Sequence, residues 1–407
     1  MSGLLSRLAI VAFFPVLTLG LLSCGSNNHS TGTGGTGGSG GSGEPSGVFA
    51  SGVGSAGQTS AARFMVVTQV PGLTPQAAAI NSDGTLTAAT VTVNPYTVFN
   101  PMGMVGAIDP TGTFFYEAVE PGIWGFTIDR QTGDLTEMTT SPYDQTVNFE
   151  AVAIDQTGKF LYAFGAGQVY AYSIQSGTGQ LTVVTGSPFA ASPSGEQYAI
   201  AFDRLAVSQD DKYLYAGTST GIFAYSLDAS TGALTAVAGS PFAGSAGSVA
   251  AVVAPATGFL YETTVGTSGG APAGIYGYSI DPNSGGLTAL SGSPFGSSCG
   301  GSNLTSPVNG KFLFGASCGM YQIDATSGAL TFLFSDPTAP NSSWAVFDPP
   351  GDFLWIVNSL EPCFDCEIGT TTFQVDSNTG NLTQVQNSFF NLTNSQIGGV
   401  QGVAVTQ

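Results

Sequence analysis

Tyr225-Ser-Leu-Asp-Ala-Ser-Thr-Gly-Ala-Leu-Thr-Ala-Val-Ala-Gly-Ser-Pro-Phe242 decides the fold, because the chain repeats it. A near copy runs Tyr278-Ser-Ile-Asp-Pro-Asn-Ser-Gly-Gly-Leu-Thr-Ala-Leu-Ser-Gly-Ser-Pro-Phe295. The Leu of the Leu-Thr pair returns at Leu86, Leu135, Leu181, Leu234, Leu287, Leu330 and Leu382. Successive spacings are 49, 46, 53, 53, 43 and 52 residues. That period is near the length of a four-stranded propeller blade, and the number of copies predicts seven of them.

The local chemistry agrees. Phe223, Tyr225 and Leu227 alternate at period two, so the stretch opens as a strand. Asp-x-x-Thr-Gly then supplies a carboxylate for the turn amides and a glycine for the left-handed position before Leu-Thr returns. An earlier hairpin in each unit reads small residues, a tight turn, then aromatics, as in Ala151-Val-Ala-Ile-Asp-Gln-Thr-Gly-Lys-Phe-Leu-Tyr162. Small side chains suit the innermost strand, where seven copies converge on one axis.

The chain ends predict closure. An aromatic second strand begins near Arg63 with no first strand before it. Val400-Gln-Gly-Val-Ala-Val-Thr406 is a first strand with no second strand after it. Together they complete one blade and remove the open edges of a linear array. The expected fold is all-β: a seven-bladed β-propeller of four antiparallel strands per blade, closed by pairing of N- and C-terminal strands, over 61–407.

Residues 1–23 read as a lipoprotein-type signal peptide, with Arg7 ahead of an apolar run from Leu8 to Leu22. Leu21-Leu22-Ser23-Cys24-Gly25 resembles a bacterial lipobox, which predicts lipidation of Cys24 and attachment without a membrane span. The expected location is the bacterial cell envelope, facing periplasm or exterior, with secretion the alternative. Residues 24–60 are a flexible Gly/Ser/Thr tether that holds His29, the only histidine. A Ser–His–Asp arrangement in the propeller is thereby excluded.

Charged residues make up 8 % of the chain, yet the net charge is −19. So few cations exclude the counterion-releasing surface that nucleic-acid binding needs. The propeller is expected to be monomeric.

The repeat resembles the seven-bladed propeller lactonase family, which includes bacterial 6-phosphogluconolactonases. The resemblance rests on Gly158-Lys-Phe-Leu-Tyr162, on Tyr278-Ser-Ile-Asp281 and on Thr-Gly-x-Leu-Thr-x5-Ser-Pro-Phe. It implies a histidine where an innermost strand begins, with arginines facing the central mouth. The corresponding positions here are Val105, Ala151, Arg204, Ala250, Ser302, Trp344 and Gly402. None is histidine, so the resemblance is to a divergent member lacking the family's His.

Antiparallel connectivity places both tight turns on one rim and the variable loops on the other, where binding residues usually live. Arg63, Arg130, Lys159, Lys212 and Lys311 fall beside the tight turns. The variable rim is assigned Arg204 and the acids Glu117, Glu120, Glu150, Glu196, Glu262, Glu361, Asp365 and Glu367. An anionic phosphosugar would be repelled there. Glu150, Glu196 and Glu262 are the candidate acid–base residues for a lactone hydrolase. Carboxylates with Asn358 could instead coordinate Ca²⁺, or be scattered solvated acids. Tyr198 and Trp344 are candidates for stacking on a carbohydrate, and Arg204 for a ligand contact or a local pair with Asp203.

Four cysteines follow Cys24. Cys299 and Cys318 sit in neighbouring loops of one rim, and Cys363 and Cys366 form a Cys-x-x-Cys pair in a strand-connecting loop. Export predicts two structural disulfides, and the residues offer no zinc ligand set. The functional expectation is a non-catalytic binding or scaffold propeller. It would take a small molecule, carbohydrate or protein on its variable rim. Lactone hydrolysis by carboxylate or metal-assisted chemistry is the alternative.

Overall fold

The computed structural model describes residues 63–69, 75–92, 105–119, 121–190, 205–218, 220–243, 249–253, 255, 258–264, 272–296, 299, 303–339, 342–358, 369–391 and 400–405. All belong to the unit Glu44–Gln407. The signal peptide, Cys24 and the tether lie outside the described residues.

Strands form seven small sheets, and no helix occurs among the described residues. Blade one pairs Val400–Val405 with Arg63–Gln69, followed by Gln76–Ile80 and Leu86–Ala89. The two ends meet antiparallel, Met65 opposite Val405 and Val67 opposite Val403. Blade two runs Gly106–Ile108, Phe114–Val119, Gly122–Ile128 and Leu135–Glu137, and blade three Phe149–Ile154, Phe160–Gly165, Gln168–Ile174 and Leu181–Val183. Blade four is Leu205–Val207, Tyr213–Thr218, Gly221–Leu227 and Leu234–Ala236. Blade five is Val249–Val253, Phe259–Thr264, Gly274–Ile280 and Leu287–Ala289. Blade six is Leu304–Thr305, Phe312–Gly315, Gly319–Ile323 and Leu330–Phe334, and blade seven Ser342–Phe347, Phe353–Asn358, Gly369–Val375 and Leu382–Gln384.

Each innermost strand packs on the next, and Val400–Val405 touches both Gly106–Ile108 and Ser342–Phe347, so the ring is shut. Three blades carry an extra short strand: Val91–Thr92 pairs in parallel with Leu135–Glu137, while Phe189–Ala190 and Phe390–Asn391 pair with third strands.

The turn chemistry follows the sequence. Asp155 Oδ1 accepts from the amides of Lys159 and Phe160 at 2.8 and 2.7 Å, and Gly158 has φ +68°. In the other turn Asp228 Oδ1 accepts from the Ser230 and Thr231 amides at 2.9 and 3.0 Å. The recurring Ser-Pro-Phe stretch has a task that periodicity does not reveal. Ser240 Oγ accepts from the Ala224 amide at 2.9 Å, and Phe242 bridges to Ile222, which pins the outgoing chain to the third strand.

The Phe-x-Tyr pattern of the second strands is an inter-blade device. The first aromatic covers the turn glycine of the next blade: Phe64 on Gly133, Phe114 on Gly179, Phe160 on Gly232, Tyr213 on Gly285, Phe259 on Gly328, Phe312 on Gly380 and Phe353 on Gly84. The last contact carries the pattern from blade seven back to blade one. Two residues later, Tyr116, Tyr162, Tyr215 and Tyr261 donate their hydroxyls to the carbonyls of Gly179, Gly232, Gly285 and Gly328 at 2.5, 3.3, 3.1 and 2.7 Å. Across the closure Trp355 Nε1 does the same to Gly84 at 3.0 Å. These rings lie in the core, so each tie joins apolar burial to a satisfied buried carbonyl.

Candidate functional site

Second strands end at the variable-loop rim, and the residues there decide what that rim can present. Glu117 and Glu262 are both the fourth residue of a second strand, in Phe114-Phe-Tyr-Glu117 and Phe259-Leu-Tyr-Glu262. The repeat alone places both on the exposed rim. Both are instead inside the blade seams, Glu117 at 1 % and Glu262 at 0 % exposure.

Their cross-strand neighbours differ, Gly106 and Trp124 for Glu117 against Val252 and Tyr276 for Glu262, and so does the support of one carboxylate oxygen. Tyr278 donates to Glu262 Oε1 at 2.6 Å. Burial, with the Glu262 carboxylate second, pushes the Tyr278 hydroxyl above its usual range. The matching position in blade two is Phe126, set opposite Phe115 as Tyr278 is set opposite Leu260. Phe126 offers no donor. Among the described residues Glu117 Oε2 has no hydrogen-bond partner, and burial pushes its carboxyl up to about 8.

Glu150 sits where the innermost strand of blade three begins. There the register slips between the pairs Gly165–Phe149 and Phe164–Ala151, and its side chain is half-buried. Asn358 closes the second strand of blade seven, half-buried. Trp344 is 2 % exposed and packed in the main core with Val346 and Trp355, so its ring is not displayed to a sugar. Glu196, Tyr198, Arg204, Cys363 and Cys366 lie outside the described residues, as do Glu120, Glu361, Asp365 and Glu367. The structure therefore brings no three of the candidates together among the described residues. No group of three or more His, Cys, Asp or Glu is placed there to hold a metal ion.

The described cations are at the tight turns. Arg63 Nη1 meets Asp348 Oδ2 at 2.7 Å across the closure between blades one and seven. Asp348 has no exposed side-chain surface, and burial pushes its carboxyl up to about 6 against the pull of the Phe353 amide and Arg63. Lys212 pairs with Asp210 at 2.7 Å, and Lys311 Nζ donates to the Ser377 carbonyl at 3.1 Å.

Cys299 and Cys318 are joined in a disulfide, with Cα atoms 5.2 Å apart, as their placement on one rim predicts. Asn303, the first residue of one Asn-Leu-Thr triplet, is fully buried and accepts from the Ala345 amide at 3.1 Å. It is a structural asparagine that joins blades six and seven.

No family model and no curated protein matches the sequence. Solved structures do match in shape. A candidate 6-phosphogluconolactonase from Bacteroides uniformis superposes with a TM-score of 0.61 at 17 % identity, covering 85 % of this chain and 99 % of that one. A second candidate, from Bacteroides fragilis, gives 0.59 at 17 %, covering 86 % and 99 %. The periplasmic gluconolactonase of Pseudomonas aeruginosa gives 0.56 at 16 % identity, covering 86 % of this chain and 99 % of that one. At such identities the likeness carries the fold alone. This chain has the lactonase-like seven-bladed propeller fold that these structures share.

Proposed function

We propose that the protein is an exported, lipid-anchored propeller that binds a ligand on its variable-loop rim and does not turn it over. One observation carries this reading: two acids that sequence assigns to that rim, Glu117 and Glu262, are walled into blade seams, one of them bonded to Tyr278. A general acid must reach the atom it protonates, and a carboxyl with about 1 % exposure cannot do so without opening the blade. The absence of histidine from the propeller sequence points the same way. The signal-like residues 1–23, Cys24 and the tether to residue 60 support an envelope location.

The test is turnover of a panel of sugar-acid γ- and δ-lactones by the purified mature protein, with Glu150→Gln alongside. No hydrolysis above the uncatalysed rate is expected. Hydrolysis that disappears in Glu150→Gln would replace this proposal with carboxylate-assisted lactone hydrolysis. The anchor is tested separately: Cys24→Ser should release the protein from the membrane fraction.

A further inference from the structure

The face of blade two that carries Glu117 can be identified from its neighbours. Phe115 and Val119 lie in the core cluster that contains Phe64, Met65, Val66 and Val67 of blade one. Tyr116 and Ala118 lie in the cluster that contains Leu161 and Ala163 of blade three. Strand side chains alternate, so Glu117 faces blade one, the blade assembled from both chain ends. Its cross-strand neighbours are Gly106 and Trp124. By the same alternation Glu262 shares the face of Leu260, which packs with Tyr215 and Ile222 of blade four.

The two seams thus hold the same acid at the same strand position with different support. Glu262 receives the Tyr278 hydroxyl, whereas the matching position in blade two is Phe126, which has none to give. The strands around Glu117 supply few charges. Gly106–Ile108, Gly122–Ile128, Gln76–Ile80, Leu86–Ala89 and Val400–Val405 contain no titratable residue. Arg63 is bonded to Asp348 at the turn end of its strand, and Glu137 on the outermost strand is an acid. Tyr96 and Glu120 lie outside the described residues.

We propose that Glu117 makes the seam between blades one and two a proton-held joint, closed most tightly in acid and loosened as its carboxyl ionises. Among the described residues no donor meets Glu117 Oε2, and a buried carboxylate so placed is strongly disfavoured, so the closed seam keeps the proton. Opening the seam hydrates the group and lets it ionise at an ordinary pH.

The closed-state carboxyl titrates near 8, above its usual value of 4.5. Between those limits the open state holds fewer protons, and each pH unit favours opening by about tenfold. Above the closed-state value the effect levels off.

Amide hydrogen exchange on the full chain at pH 5.5 and 7.5, corrected for intrinsic exchange chemistry, tests the joint. In the wild type, opening at Arg63–Gln69 and Phe114–Val119 should rise roughly a hundredfold over that range, two pH units at about tenfold each. Phe259–Thr264 in blade five should rise less, because Tyr278 donates to Glu262. Glu117→Gln should abolish the rise. Phe126→Tyr, which supplies the hydroxyl that blade five has, should reduce it and serves if Glu117→Gln fails to fold. Equal pH dependence in the wild type and both variants, or blade five opening in step with blade two, would overturn the proposal.

Discussion

Replacing Tyr116 by Phe removes one hydroxyl and leaves the ring in place. In the native protein that hydroxyl donates to the Gly179 carbonyl at 2.5 Å, buried between blades two and three. The mutant keeps the apolar contact but leaves a buried carbonyl without its donor. The cost is the net hydrogen bond plus the unmet desolvation of the acceptor, together about 1–2 kcal/mol. The four tyrosines form an internal series. Tyr261 bonds Gly328 at 2.7 Å and should cost about as much as Tyr116, by the same hydrogen-bond range. Tyr162 reaches Gly232 only at 3.3 Å, and its loss should cost about 0.5 kcal/mol.

Blade six supplies the natural control, because Phe314 occupies the equivalent place and has no hydroxyl to lose. Urea unfolding at fixed pH reads these differences as shifts in midpoint at constant slope. Separate seams should give nearly additive changes, within about 0.5 kcal/mol. If Tyr116→Phe and Tyr261→Phe left the midpoint unmoved, or Tyr162→Phe cost as much as either, the assignment of these hydroxyls as inter-blade ties would fail.

Arg63→Ala strands Asp348 in the closure. The folded carboxyl, pushed up to about 6, lies above its usual 3.8, so its stabilising proton is fully effective below about 4 and is lost as pH rises through 6. Removing the guanidinium pushes the carboxyl higher still, so the mutant's deficit should be small at pH 4.5 and about 2 kcal/mol at pH 7 in urea unfolding. Gly179→Ala combines φ +70° with a Cβ 2.6 Å from Phe114 Cδ1, and should cost about 3 kcal/mol. Gly177→Ala, at φ +84° in open space, should cost only about 1 kcal/mol by thermal denaturation. Reducing the Cys299–Cys318 bridge frees a loop of sequence separation 19, and urea unfolding with and without reductant should differ by about 3 kcal/mol.

The glycine in Asp-x-x-Thr-Gly, the small residues of the first strands and the complementary chain ends were all legible as local or periodic features. Backbone sterics and strand pairing act over a few residues or a fixed repeat, so the chain displays them directly. The pairing of Cys299 with Cys318 was legible for a similar reason, since the repeat places both in loops of one rim. The placement of Glu117, Glu262 and Trp344 was not. Period-two alternation normally separates a buried face from a wet one, but a blade is packed on both faces by its neighbours.

The linear order of residues was therefore enough to specify the repeat, the number of sectors and the join between the termini, because each depends on near neighbours or on a constant spacing. Ring assembly alone settled which polar side chains reach solvent, since their environment is made by strands tens to hundreds of residues away. Phe126 and Tyr278 look interchangeable as members of an apolar stripe. Only the fold reveals that one leaves an acid stranded and the other gives it a donor.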